Sequence, residues 1–150
     1  MSSNYKSIAA KLKFEGRAFI DGKYVDAIDG KKFDNINPAN GETLCSVAKC
    51  NHKDVDLAVK VSRKAFNSGV WSRTSPEFRK DILLKFAELL RQTGEENSVL
   101  ECVDTGKLIG DCINEVANDA PMHFQWYGEL IDKVFGKVGP TEPSLTSLIV

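Results

Sequence analysis

The chain has 150 residues, 42 % of them apolar and 27 % charged, with a net charge of −1. That is enough for one ordinary globular domain and gives no bulk attraction to nucleic acid or anionic lipid. No stretch approaches the roughly 18 apolar residues of a membrane span, and lysines interrupt the first fifteen residues, which excludes a signal peptide and makes the cytoplasm the expected compartment.

Residues 4–13 (NYKSIAAKLK) suit a short helix. The pattern then changes. "AFIDGKYVDA" sets Asp21-Gly22-Lys23 between β-formers, a strong hairpin signal because glycine accepts the positive φ of a tight turn. Asp29-Gly30 and Asn40-Gly41 repeat the signal, so residues 18–49 read as a β-meander. From Asn51 the apolar spacing is helical. Asn51 and Asp54 form a helix start. Val55, Ala58/Val59, Ser62 and Ala65/Phe66 make a stripe that should be buried, and Gly69 ends it. Ser75-Pro76 opens a second helix whose stripe is Phe78, Ile82/Leu83, Phe86 and Leu89/Leu90. Thr93 with Glu96 suggests a capping box for a third, short helix that stops at Gly106. A fourth helical stretch runs from about 109 to 135, bent near Pro121. Helices thus fill 52–135.

The last run, 144–150 (SLTSLIV), reads as a strand. Gly136, Gly139, Pro140 and Pro143 break the pattern before it, so no neighbouring turn offers it a partner. A continuation beyond residue 150 is the economical expectation.

Phosphate-loop, dinucleotide, zinc-protease and serine-hydrolase motifs are all absent from the sequence. The four cysteines, at 45, 50, 102 and 112, lack zinc-site spacing and are expected to be reduced structural thiols. Trp126-Tyr127 reads as core packing.

Five stretches in register change this picture. "FIDGKYVDAIDGKKFDNINPANGETL" (19–44), "DVDLAVKVSRKAFNSGVWS" (54–72), "RKDILLKFAELL" (79–90), "ECVDTGK" (101–107) and "QWYGELIDKVFGKV" (125–138) occur in order. Together they resemble the N-terminal portion of the NAD(P)-dependent aldehyde dehydrogenases. The WY-x-E-x-IDKVxG form is similar to members acting on aminoaldehydes of polyamine breakdown, such as the gamma-glutamyl-gamma-aminobutyraldehyde dehydrogenases.

The resemblance implies an α/β fold, the incomplete N-terminal part of the aldehyde dehydrogenase fold: a meander, a helical block, and a terminal strand beginning the oligomer-bridging hairpin. It implies NAD or NADP as cofactor, a small aldehyde as substrate and a homo-oligomer as the assembly. The family's catalytic Cys, Glu and Asn and its cofactor cradle lie further along the chain. Residues 1–150 are therefore expected to hold no catalytic and no cofactor-binding residue and to be inactive alone. Two sites follow from the resemblance. Asp104, with main-chain carbonyls near Asn35 and Ile36, falls where some members hold a monovalent cation; Leu108 stands where the family often has proline. Glu115 and Asp119, four apart on one helix face, fall at the aldehyde entrance, where carboxylates suit an amine-bearing substrate; the alternative is a solvated acidic face. The alternative function is a short interaction protein that pairs with a full-length relative through its terminal strand.

Overall fold

A computed structural model describes residues 3–149. The element order is α1 (Ser3–Ala9), β1 (Ala18–Ile20), β2 (Lys23–Val25), β3 (Lys32–Ile36), β4 (Thr43–Ala48), α2 (His52–Ser68), α3 (Pro76–Thr105), α4 (Ile109–Cys112), a π-helical segment (Ile113–Asp119), α5 (Ala120–Leu130), β5 (Lys137–Gly139) and β6 (Ser147–Ile149).

The β region is two separate antiparallel hairpins, β1–β2 and β3–β4, rather than one continuous meander. Asp21 (φ 55°) and Gly22 (φ 75°) form the tight link between β1 and β2, the backbone a two-residue hairpin turn requires. The connection between the hairpins leaves the ladder because its amides bond elsewhere. Gly30 N–H donates to the Ala27 carbonyl (2.8 Å), and Ile28 N–H donates to the Asp54 carboxylate of α2 (2.9 Å). Asp54 is only 3 % exposed; its other oxygen accepts from Asn51 N–H (2.8 Å), completing the expected cap of α2. One buried carboxylate thus fixes both the start of α2 and the loop between the hairpins. Gly16 runs hard against β4: its carbonyl accepts from Ala48 N–H (2.7 Å), and a Cβ there would sit 2.0 Å from the Ser46 carbonyl oxygen.

The helical block departs from expectation in three places. The stripe of α2 is open: Val55, Val59 and Phe66 are exposed, as are Phe78, Ile82, Phe86 and Leu89 of α3 in large part. Thr93 caps nothing. Its hydroxyl donates to the Leu89 carbonyl (2.9 Å), and α3 continues unbroken to Thr105. Within it Gly94 packs where a side chain could not: a Cβ at 94 would lie 2.8 Å from Ala117 Cβ. The fourth stretch is neither uniform nor as long as expected, ending at Leu130. Its irregularity lies just before Pro121, as a π-helical run in which Ala120 N–H bonds to the Glu115 carbonyl. Pro121 lacks an N–H, and its ring crowds the carbonyl four residues back. Widening the preceding turns to i→i+5 bonds relieves that crowding.

The core sits where α3 meets the π segment and α5. Ala87, Ser98, Val99, Cys102 and Cys112 are buried there, and Gly128 of α5 lies on Leu83 and Leu84. Small residues at these crossings let the helix axes approach closely. Phe86 and Phe124 add an edge-to-face contact, with centroids 4.7 Å apart.

The terminal strand has a partner within the chain, contrary to expectation. β6 pairs antiparallel with β5 through Lys137–Ile149, Val138–Leu148 and Gly139–Ser147. The run of glycine and proline that masked β5 in the sequence is what turns the chain back. The loop closes with Leu145 N–H on the Glu142 carbonyl (2.9 Å). Val150 lies outside the described residues. Among the described residues no helix is long and apolar enough to cross a membrane.

Candidate functional site

A cleft of about 660 Å³ opens between the β3–β4 hairpin, the C-terminal half of α3 and the π segment. Asn35, Cys45, Leu100, Glu101, Asp104 and Val116 are among its walls. The site begins with two local signals. The Asn37-Pro38 turn closes with Asn37 N–H on the Glu42 carbonyl (2.8 Å) and Gly41 N–H on the Asn37 carbonyl (2.8 Å). Gly106 caps α3 in the left-handed conformation (φ 75°), its N–H on the Cys102 carbonyl. The two meet: a Cβ at Gly106 would stand 2.9 Å from Pro38.

This contact brings the expected cation residues together. Asn35 Nδ2 donates to Asp104 Oδ1 at 2.5 Å. Ile36 sits at the irregularity in the β3–β4 ladder, between Asn35 and Ile36. Among the described residues no cluster of three or more acidic, His or Cys side chains could hold a metal. The donor set is one carboxylate and amide oxygens, which fits a weakly held hard cation and not a transition metal. The Asn35 amide already covers one Asp104 oxygen, so a cation there would have to displace it.

Glu115 and Asp119, expected at an entrance, lie together on the π segment, but their surroundings differ. Lys107, just past the Gly106 cap, places its ammonium 2.6 Å from Glu115 Oε2 and 3.6 Å from Glu101 Oε1. The hydrogen bond to Glu115 raises the Lys107 pKa above the ordinary lysine value. Asp119 contributes only its main-chain carbonyl, which lies 2.7 Å from His123 Nδ1. Spacing in the sequence could not reveal Lys107 as the partner of Glu115, because the two are joined through a chain turn and not a helix face.

Trp126 and Tyr127 are not core residues: they are 63 % and 62 % exposed. The periodicity that suggested burial belongs to a face left exposed among the described residues. All four cysteines are free. Burial pushes the Cys112 thiol above its ordinary pKa, the opposite of what a nucleophile needs.

The chain matches the aldehyde dehydrogenase family over residues 24–150, and it belongs to that family. It is 40 % identical over 97 % of its length to the aminoacetaldehyde dehydrogenase of Pseudomonas aeruginosa, of which it covers 29 %. Its structure is similar to the gamma-glutamyl-gamma-aminobutyraldehyde dehydrogenase of Burkholderia cenocepacia J2315 (TM-score 0.91, 42 % identity, 97 % of this chain and 30 % of that one). It is equally similar to the P. syringae indole-3-acetaldehyde dehydrogenase AldA, solved as a mutant with NAD+ and IAA (TM-score 0.91, 40 % identity, 97 % and 30 %). The chain therefore spans about three-tenths of the length of these relatives.

Proposed function

We propose that this segment forms the N-terminal part of an NAD(P)-dependent dehydrogenase that oxidises an aminoaldehyde to a carboxylic acid. The observation that carries the reading is the 40 % identity to an aminoacetaldehyde dehydrogenase across 97 % of the chain. The acidic π segment is consistent with it, since a carboxylate at the entrance attracts an ammonium group. Aldehyde oxidation needs a nucleophile, oxyanion donors and a hydride acceptor brought into contact. NAD or NADP supplies the hydride acceptor. No catalytic or cofactor-binding residue is assigned within 1–150. What these residues do is hold the entrance wall: the Gly106 cap and the Gly94–Ala117 contact position the π segment. Asp104, with the Asn35–Ile36 carbonyls, is the proposed seat of a monovalent cation that tightens the junction of β3–β4 with α3.

The experiment compares the 150-residue chain with a complete enzyme carrying it. The chain alone should reduce neither NAD nor NADP with any aldehyde. The complete enzyme should prefer 3-aminopropanal to butanal, a neutral aldehyde of the same length. Equal kcat/KM for the two would overturn the substrate assignment.

A second reading is supported by the β5–β6 hairpin, where Val138, Leu148 and Ile149 are exposed on a sheet of only two strands. Exposed apolar edges invite pairing with another chain. In that reading the segment is an interaction protein that binds a full-length relative. Co-purification of the two, lost on replacing Val138 and Leu148 by lysine, would support it; no complex at micromolar concentration would exclude it.

A further inference from the structure

We propose that Arg79, in the first turn of α3, is the anchor for a carboxylate of the complete enzyme that lies outside residues 1–150, on a segment covering the apolar face of α3. The inference goes beyond the substrate reading above and needs only that these residues are part of a longer chain.

The backbone that carries Arg79 is set by the cap of α3. Ser75 Oγ accepts from Phe78 N–H (3.2 Å), and Arg79 N–H donates to the Ser75 carbonyl (3.3 Å). Arg79 Nε is buried without a hydrogen-bond partner, the one side-chain nitrogen or oxygen in that state among the described residues. The guanidinium also makes no ion pair among them. The acidic side chains nearby are not available to it. Glu77 and Asp81 stand two residues away on the helix, and residues at that spacing do not share a face. Asp132 is already taken by Lys80 (3.0 Å) and Lys133 (2.7 Å). A guanidinium stays charged at every physiological pH and is almost never buried unpaired, because taking it out of water without an acceptor is costly. A carbonyl would satisfy the N–H and leave the charge uncompensated. A carboxylate satisfies both, and the planar fork offers Nε and one Nη to its two oxygens. Ile82 and Phe86, three and seven residues on from Arg79, share its helix face and are exposed. With the exposed Phe78 they make an apolar strip with a cationic end, which fits an apolar segment bearing one carboxylate. The relatives that the chain matches are more than three times as long, so most of such an enzyme lies outside these residues and can supply that segment.

The test is carboxyl footprinting of the complete enzyme carrying residues 1–150. Accessible carboxylates are amidated with a carbodiimide and glycine ethyl ester and located by peptide mass spectrometry. In Arg79→Met, one Asp or Glu outside residues 1–150 should label about tenfold faster than in the unaltered enzyme, the factor that losing one charge-assisted hydrogen bond predicts for its exposure. Arg79→Lys keeps the charge without the fork and should show a smaller rise. Replacing the identified carboxylate by its amide should lower the melting temperature as Arg79→Met does, and the two changes together should lower it no further. If no carboxylate outside 1–150 gains label, or if the gain falls on Glu77, Asp81 or Asp132 instead, the assignment is wrong. Additive melting shifts refute the pairing as well. Protection that is lost on diluting the unaltered enzyme places the acceptor in a second copy of the chain and also overturns the proposal. Should Arg79→Met not fold, the footprint of Arg79→Lys decides the matter, and no gain there refutes the anchor.

Discussion

Gly94→Ala tests how the π segment is held. In a solvent-exposed helix interior this substitution stabilises by about 1 kcal/mol, because glycine costs more backbone entropy than alanine. Here the added Cβ would meet Ala117 Cβ at 2.8 Å and Ala117 Cα at 3.0 Å. Carbon atoms in good contact sit about 3.5–4.0 Å apart, so the π segment must retreat from α3 by most of an ångström. Overpacking of this kind costs about 1–3 kcal/mol. The packing cost outweighs the helix gain, and the net expectation is a loss of about 1 kcal/mol. In urea, with a slope of about 1–3 kcal/mol per molar, the midpoint should fall by about 0.3–1 M. Ala117→Gly removes the opposing methyl, so the double variant should recover most of the loss, with a coupling of about 1 kcal/mol between the sites. A raised midpoint for Gly94→Ala, or no coupling with Ala117→Gly, would mean that Gly94 does not set the approach of the two elements. The placement of Glu115 and Asp119 would then need another explanation.

Asp54→Ala removes the acceptor of both Asn51 N–H and Ile28 N–H. It should destabilise by about 2–3 kcal/mol, the sum of a lost cap and a lost charge-assisted bond, and amide exchange at Ile28 and Asn51 should quicken together. Asp132 is hydrogen-bonded to Lys133 and to Lys80, which hold its carboxyl down at about 2. Its folded pKa is depressed, so its contribution to stability is present above the ordinary aspartate value and is lost as pH falls from about 4 toward about 2. NMR titration of the Asp132 side chain should give the low midpoint, rising in Lys133→Met and to a smaller degree in Lys80→Met. A cation seated at Asp104 predicts a higher melting temperature in potassium or sodium than in an equal concentration of a bulky organic cation. That difference should disappear in Asp104→Ala.

Most element types were legible because their signals are local. Asp21-Gly22 could be read as a turn from two residues, and Asn51 with Asp54 as a helix start from four. The misreadings all concern what lies beyond a few residues. Thr93 and Glu96 have the spacing of a cap, yet the helix runs through them: the Thr93 hydroxyl bonds back to the Leu89 carbonyl, and Gly94 packs against Ala117, 23 positions away. The glycines and prolines of 136–143 look like the end of structure, and they are instead the bend that pairs β5 with β6. Asn35 and Asp104, 69 residues apart and joined by their hydrogen bond, were paired through the family resemblance, since no spacing rule encodes that relation. The α2 stripe shows the same limit from the other side. Its period of three to four was read correctly as helical, but period reports only that a face is apolar, not what covers it. Phe66 and Val59, at 65 % and 61 % exposure, remain open in a segment whose relatives are more than three times as long. A helix with a continuous apolar stripe left in water loses most of the stabilisation that the stripe provides when covered. The sequence pattern is therefore tuned to a surface larger than these residues supply. The polar face of the π segment, by contrast, is ordered by neighbours that this chain supplies: Lys107 on Glu115, Gly94 against Ala117, and His123 at the Asp119 carbonyl.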